Sequence, residues 1–188
     1  MRLLFLENED SFSWNVVDLL PFSRRQITIV PGREVGRRPE LLAGADAVVI
    51  GPGPMDPLRV GLVDVVRAAA ELRLPLLGIC LGHQAIGLAF GSRLVRVQPM
   101  HGKLSTVTFR CSRLFSGLCG AYRAMRYHSL ALAEVGRPLA VVAATDDGVP
   151  MAIEHAALPM AGLQFHPDSY ATEQGFRMVA SFFEAVAR

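Results

Sequence analysis

The chain has 188 residues, 51% hydrophobic and 19% charged, which fits one globular domain over residues 1–188 and excludes a disordered composition. Nineteen Lys and Arg against 17 Asp and Glu leave a formal charge of +2, too balanced for a nucleic-acid binder or a membrane-surface protein. Three cysteines, Cys80, Cys111 and Cys119, argue against a disulfide framework and for a reducing, cytoplasmic setting. The first apolar run is short and reaches Glu7, so no secretory signal is expected.

Residues 2–6 read as a buried strand. Asp10 and Ser11 stand as cap residues before a helix with Phe12, Val16, Leu19 and Leu20 at helical spacing, ended by Pro21. A second strand is expected at 27–30 and a third at 47–50, stopped by Gly51-Pro52-Gly53-Pro54. Residues 60–72 read as a helix with Val63, Val66 and Ala70 on one face. A fourth strand at 74–79 leads into a helix at 81–90. The apolar stretch 74–90 contains Pro75, His83, Gln84 and three glycines, so strand, turn and helix fit it better than a membrane span.

Strands that are apolar throughout, alternating with helices, predict an α/β fold: a doubly wound, mostly parallel sheet covered on both faces. From Ser92 the texture changes to strands at 94–97, 104–109, 139–144 and 151–154, with Asp146-Asp147-Gly148 as a turn. These predict an added antiparallel portion in the C-terminal half. A last helix at 175–187 carries Phe176, Val179, Phe182, Phe183 and Val186 on one face.

Cys80 lies where an apolar strand meets a helix, with Gly78 and Gly82 two residues away on each side. That is the nucleophile-elbow pattern with sulfur in place of oxygen. A helix N-terminus beneath the sulfur favours the thiolate, its reactive form. Free cysteines are more often small core residues; the flanking glycines bring the two readings level. Cys111 and Cys119 lack such a setting and are expected to be buried hydrophobes.

A cysteine nucleophile needs a base. His83 reads as a local packing or capping residue and His155 as solvated in a turn. His166 ends the apolar run 160–165 and is followed by Asp168, a spacing that lets a carboxylate orient the ring, although His-Pro-Asp occurs in many loops. Gly53 would let its backbone N–H approach an oxyanion, with the N–H of Leu81 as second donor. Taken alone, Gly51-Pro52-Gly53-Pro54 is more simply a rigid turn.

Together these segments resemble the class I (triad) glutamine amidotransferases, most closely the amidotransferase component of anthranilate and aminodeoxychorismate synthases. The matching blocks run nearly end to end: Glu7-Asn8-Glu9-Asp10-Ser11-Phe12, Gly51-Pro52-Gly53-Pro54, Gly78-Ile79-Cys80-Leu81-Gly82-His83-Gln84, His101-Gly102-Lys103, Tyr127-His128-Ser129-Leu130 and Gln164-Phe165-His166-Pro167-Asp168-Ser169, with Thr172 and Gly175. The resemblance implies a flavodoxin-like sheet and a glutaminase in which Cys80 attacks the side-chain amide of L-glutamine, His166 moves the protons and Asp168 orients His166. Gly53 and Leu81 would form the oxyanion hole. Gly53, Met55, Gln84 and the Ser129-Leu130 backbone would hold the glutamine, and His101, Gly102 and Lys103 would relay the state of a partner.

Ammonia would then pass to a chorismate-binding synthase, component I of a heteromeric complex, with anthranilate favoured slightly over aminodeoxychorismate as the product. The partner-facing surface is expected to include Asp10-Ser11-Phe12 and the loop after Pro54. No metal or redox cofactor is expected in this chain; any magnesium would belong to the partner. The chain departs from the family pattern at three places: Asp168 stands where Glu is usual, Met55 replaces a glycine, and Glu9 and Trp14 occupy positions where tyrosines are common. Two other readings remain open at this point, a stand-alone γ-glutamyl cysteine hydrolase and a non-catalytic regulatory subunit.

Overall fold

The computed structural model describes residues 1–187. In chain order the elements are β1 (Leu3–Glu7), α1 (Ser13–Leu19), β2 (Ile27–Pro31), α2 (Gly32–Arg37), β3 (Ala47–Ile50), α3 (Leu62–Glu71), β4 (Leu76–Ile79), α4 (Leu81–Ala89), β5 (Arg93–Arg96), β6 (Lys103–Phe109), β7 (Gly120–Arg126), β8 (Leu130–Ala133), β9 (Leu139–Thr145), β10 (Pro150–His155), β11 (Met160–Leu163) and α5 (Gly175–Val186). Nine strands form one sheet in the order β2-β1-β3-β4-β11-β10-β9-β6-β7. The pairs β2/β1, β1/β3, β3/β4 and β4/β11 are parallel. From β10 to β7 every pairing is antiparallel, and β5 and β8 make a separate antiparallel pair.

The central strands are apolar throughout because both of their faces are covered. One face packs Leu3, Phe5, Val49, Leu77 and Ile79 against Val16 and Val17 of α1 and Met178, Val179 and Phe182 of α5. The other packs Leu4, Leu6, Val48, Ile50 and Leu76 against Val35 of α2, Leu62 and Val65 of α3, and Ala85 and Ile86 of α4. Helices thus change faces where the chain passes from β1 to β3, the switch point that opens a crevice at the carboxyl ends of such sheets.

Several local expectations shift. Asp10 accepts the Phe12 N–H on Oδ1 at 2.8 Å, which makes it a turn residue, and α1 has no side-chain cap. The buried face of α3 is Leu62, Val63, Val65, Val66 and Ala69, so Ala70 lies at its margin. Phe176 is exposed, outside the face that α5 buries. Elements α2, β7 and β8 are not among those expected from the sequence, and β11 shows there only as an apolar run. In β7 the alternation is masked by Arg123 and Arg126, and α2 is a six-residue piece that its glycines disguise.

Candidate active site

Strands β1, β3, β4 and β11 end side by side and present Asn8, Gly51, Cys80 and Gln164. Asn8 ties two of these ends together, its Nδ2 donating to the carbonyls of Leu6 at 3.1 Å and Gly51 at 3.0 Å. Cys80 has φ +52° and ψ −96°, a region that costs a non-glycine residue about 1–3 kcal/mol and persists only where the surroundings enforce it. Here the enforcement is visible. The Cys80 N–H donates to Leu163 at 2.7 Å, while α4 lies so close to β4 that a β-carbon on Gly78 would stand 2.3 Å from the Gly82 carbonyl carbon. The glycines therefore permit the turn that lifts the sulfur to the sheet edge.

His166 is reached from the other side of the same edge. Its N–H donates to Met125 at 2.9 Å, and Thr172 Oγ1 donates to its carbonyl at 2.7 Å while accepting the Met125 N–H at 3.0 Å. Asp168 Oδ1 lies 3.3 Å from His166 Nδ1. This is an ion-pair contact without hydrogen-bond alignment, and neither carboxylate oxygen has a hydrogen-bond partner among the described residues. The shorter aspartate side chain reaches the ring but does not seat on it. Burial opposes the imidazolium charge, yet the Asp168 carboxylate and the Cys80 sulfur outweigh it and push His166 up to about 10. Phe12 and Tyr127 pack edge-on to the ring at centroid distances of 5.4 and 5.0 Å, which restricts its rotation.

The structure brings Gly53 beside Leu81: a β-carbon on Gly53 would lie 2.8 Å from Leu81 Cδ2 and 2.7 Å from the Asn8 carbonyl. Leu81 opens α4, so its N–H has no intrahelical acceptor. Met55 is partly buried against the apolar cluster beneath the loop. Gln84 is buried and donates through Nε2 to the Leu130 carbonyl and to Gln164 Oε1, each at 3.3 Å. Ser129 is exposed, and its carbonyl accepts the Val97 N–H at 3.0 Å. His101, Gly102 and Lys103 are all exposed. They are fastened by the Gly102 N–H to Arg126 at 3.1 Å, and Met100 is bonded in turn to His128.

Other expectations do not hold. His155 is buried, not solvated; its Nδ1 accepts the N–H groups of Ala157 and Leu158 at 3.0 and 2.9 Å, and its ring packs on Phe90. His83, by contrast, is the packing residue expected: it is fully buried with both ring nitrogens unpartnered, and burial lowers its pKa to about 3. Cys111 and Cys119 are exposed rather than buried, with their sulfurs 2.6 Å apart. Tyr127, Thr172, Arg126 and Gln164 join the site with no role expected for them from the sequence, and Phe12, expected at the partner-facing surface, packs half-buried on the His166 ring. Gln164 Nε2 points at Cys80 Sγ at 3.7 Å. Among the described residues no three His, Cys, Asp or Glu side chains cluster as metal ligands, and no helix is long and apolar enough to cross a membrane.

Fold and edge together place the molecule among doubly wound α/β proteins that carry a thiol and an acid-supported imidazole at the sheet's carboxyl ends. More specifically, the family model for class-I glutamine amidotransferases matches residues 4–186, and the chain belongs to that family. It is 42% identical to a Streptomyces griseus protein named aminodeoxychorismate synthase, covering all of this chain but only 26% of that protein. It is 36% identical to the anthranilate synthase component 2 of Azospirillum brasilense, over 99% of this chain and 97% of the relative. The crystal structure of a putative GMP synthase component from Thermoplasma acidophilum superposes with a TM-score of 0.85 at 21% identity, over 100% of this chain and 94% of that one. That last likeness is one of fold.

Proposed function

We propose that this chain is the glutaminase subunit of a chorismate-aminating synthase, with Cys80, His166 and Asp168 as its catalytic residues. The observation that carries the reading is the strained Cys80 elbow opposed by an imidazole raised to about 10 in a member of the amidotransferase family. An imidazole held in its charged form opposite sulfur is a partner for a thiolate and a donor for a leaving amine.

In this reading the Cys80 thiolate adds to the side-chain amide carbon of glutamine, and the N–H groups of Gly53 and Leu81 stabilise the oxyanion. The His166 imidazolium gives its proton to the departing nitrogen, the C–N bond breaks and ammonia leaves a γ-glutamyl thioester. Water then adds to the thioester carbonyl, returns a proton to His166 and releases glutamate. Gln84, Met55 and the Ser129-Leu130 segment would hold the glutamine's α-amino and α-carboxyl ends. Asp168, 3.3 Å from His166 Nδ1, supports the imidazolium from that side of the ring.

The names of the relatives, anthranilate synthase component 2 and aminodeoxychorismate synthase, support a chorismate-binding synthase as the acceptor of ammonia. Helix α1 and the loops after β3 and β11 carry Trp14, Leu58 and Tyr170 exposed, a set of apolar anchors for such a partner. His101, Gly102 and Lys103 belong to that surface and communicate its state inward. Cys80 is 7% and His166 2% exposed, so a partner that opens the edge should raise the reactivity of the site.

The test is labelling with a diazoketone analogue of glutamine, located by mass spectrometry. The adduct is expected on Cys80 and should form faster when a chorismate-binding synthase is added. No labelling under any condition would favour a regulatory role, and fast partner-independent turnover of γ-glutamyl compounds would favour a stand-alone hydrolase.

A further inference from the structure

Arg126, at the end of β7, is 5% exposed, and among the described residues no carboxylate lies within ion-pair distance of it. Asp147 lines a cavity with Arg126 and its charge favours the guanidinium, but the two make no ion pair, and burying a guanidinium without a paired carboxylate is unfavourable. Its contacts show what the charge does instead. Nε donates to His128 Nε2 at 3.0 Å, and Nη1 donates to Ser105 Oγ at 3.0 Å.

A guanidinium has donors only, so His128 Nε2 must offer its lone pair. The imidazole proton then resides on Nδ1, which donates to the Leu130 carbonyl at 2.9 Å. That carbonyl also accepts from Gln84 Nε2; Gln84 reaches Gln164 Oε1, and Gln164 Nε2 faces the Cys80 sulfur. Each link has one direction, from guanidinium to imidazole to carbonyl, and from amide to amide to sulfur. The outer end of the run adjoins the exposed His101-Gly102-Lys103 segment, whose Gly102 N–H is bonded to the Arg126 carbonyl.

We propose that Arg126 is a positioning residue for the glutamine site, holding His128 in the Nδ1–H tautomer and so fixing the Leu130 carbonyl, Gln84 and Gln164 behind Cys80. The inference rests on the glutaminase reading and deepens it by naming the side chains that join the proposed partner surface to the nucleophile. Burial, with the neighbouring Arg126 charge, holds His128 down at about 4, so the ring is neutral and the tautomer matters at ordinary pH. The Nε2–H form is the one an imidazole side chain favours in water, so an Nδ1–H ring is a signature of the enforced bond.

The experiment is two-bond proton–nitrogen correlation on the 15N-labelled full chain, with the His128 signals assigned from His128→Gln, alongside glutamine hydrolysis. The unaltered chain should show His128 as Nδ1–H. Arg126→Met should move it to Nε2–H and raise the KM for glutamine about fivefold, as loss of one hydrogen bond would, with a smaller change in kcat. Arg126→Lys, which retains a donor, should restore the tautomer and part of the KM. An Nε2–H ring in the unaltered chain, while Cys80 is still labelled by the glutamine analogue, overturns this inference and leaves the glutaminase reading standing. That measurement needs no variant, so a poorly folding Arg126→Met does not shield the proposal. An Nδ1–H ring beside a Cys80 that no glutamine analogue labels overturns the reading and this inference with it.

Discussion

Gly82→Ala tests whether the cysteine elbow depends on the close seating of α4. The substitution removes backbone freedom from the unfolded chain and favours helix, a gain of about 0.5–1 kcal/mol. Against this, the new β-carbon would stand 2.4 Å from the Ile50 carbonyl oxygen and 2.8 Å from Ile50 Cβ. Ordinary contact begins near 3.4 Å, so it lies about 1 Å too deep against atoms of β3 that cannot swing aside. Overpacking of this kind costs about 1–3 kcal/mol, and rigid backbone puts it at the upper end. The clash wins by about 2 kcal/mol, a drop in Tm of about 4–8 °C for a chain of this size. Relief requires α4 to move by about the overlap, and a 1 Å misplacement of reacting groups lowers rate by about a hundredfold. Gly87→Ala is the control: it lies in the same helix, but its β-carbon meets side-chain atoms of Leu132 rather than backbone. It should lose less stability and keep its glutaminase activity within a few-fold. Calorimetry and glutamate release read both variants. A Gly82→Ala protein with parental Tm and parental turnover would refute the argument.

Asp168→Asn keeps shape but removes the charge beside His166. Glutamine hydrolysis should fall about a hundredfold, less than the roughly 10⁴ lost where the carboxylate is well aligned, and an unchanged rate would show that Asp168 has no part in it. Stability should peak near pH 6.5 in urea titrations. His166, raised to about 10, contributes fully below 6.5 and loses its contribution as pH rises through about 10, whereas His83 and His128, lowered to about 3 and about 4, lose theirs as pH falls below 6.5. A urea midpoint still rising between pH 7 and 10 would contradict the His166 assignment. Lys103 is the chain's one lysine, so amine-directed labelling of its side chain should be suppressed when the synthase partner binds. Undiminished labelling would remove the segment from the interface.

The elbow is legible in the sequence because its requirement is local: small residues on both sides of Cys80, between an apolar strand and a helix. Strands β1, β3 and β4 are equally open to reading, since burial on both faces writes a continuous apolar run, and the half-buried edge strand β2 is betrayed by Ile27, Ile29 and Val30. Pairings between distant segments are not open in the same way. That His166 meets Cys80 follows from β11 lying beside β4, and spacing alone supplies only a His-Pro-Asp sequence found in many loops. His155 reads as solvated because it falls in a turn-like stretch, yet its ring nitrogen accepts two local N–H groups and is buried with them. Cys111 and Cys119 are exposed because Leu114, Phe115 and Leu118 in the same loop take the buried places. The Arg126-His128 contact links side chains two residues apart at the end of an edge strand whose alternation is masked, so nothing local announces it.

The central claim is that one sulfur, at Cys80, releases ammonia from glutamine for use by a second chain. The most direct measurement compares Cys80→Ser with the unaltered protein in complex with a chorismate-binding synthase, following product formation from glutamine and from ammonium separately. The account expects glutamine-dependent synthesis to vanish while ammonium-dependent synthesis continues at the parental rate. Persistence of glutamine-dependent synthesis in Cys80→Ser would contradict it.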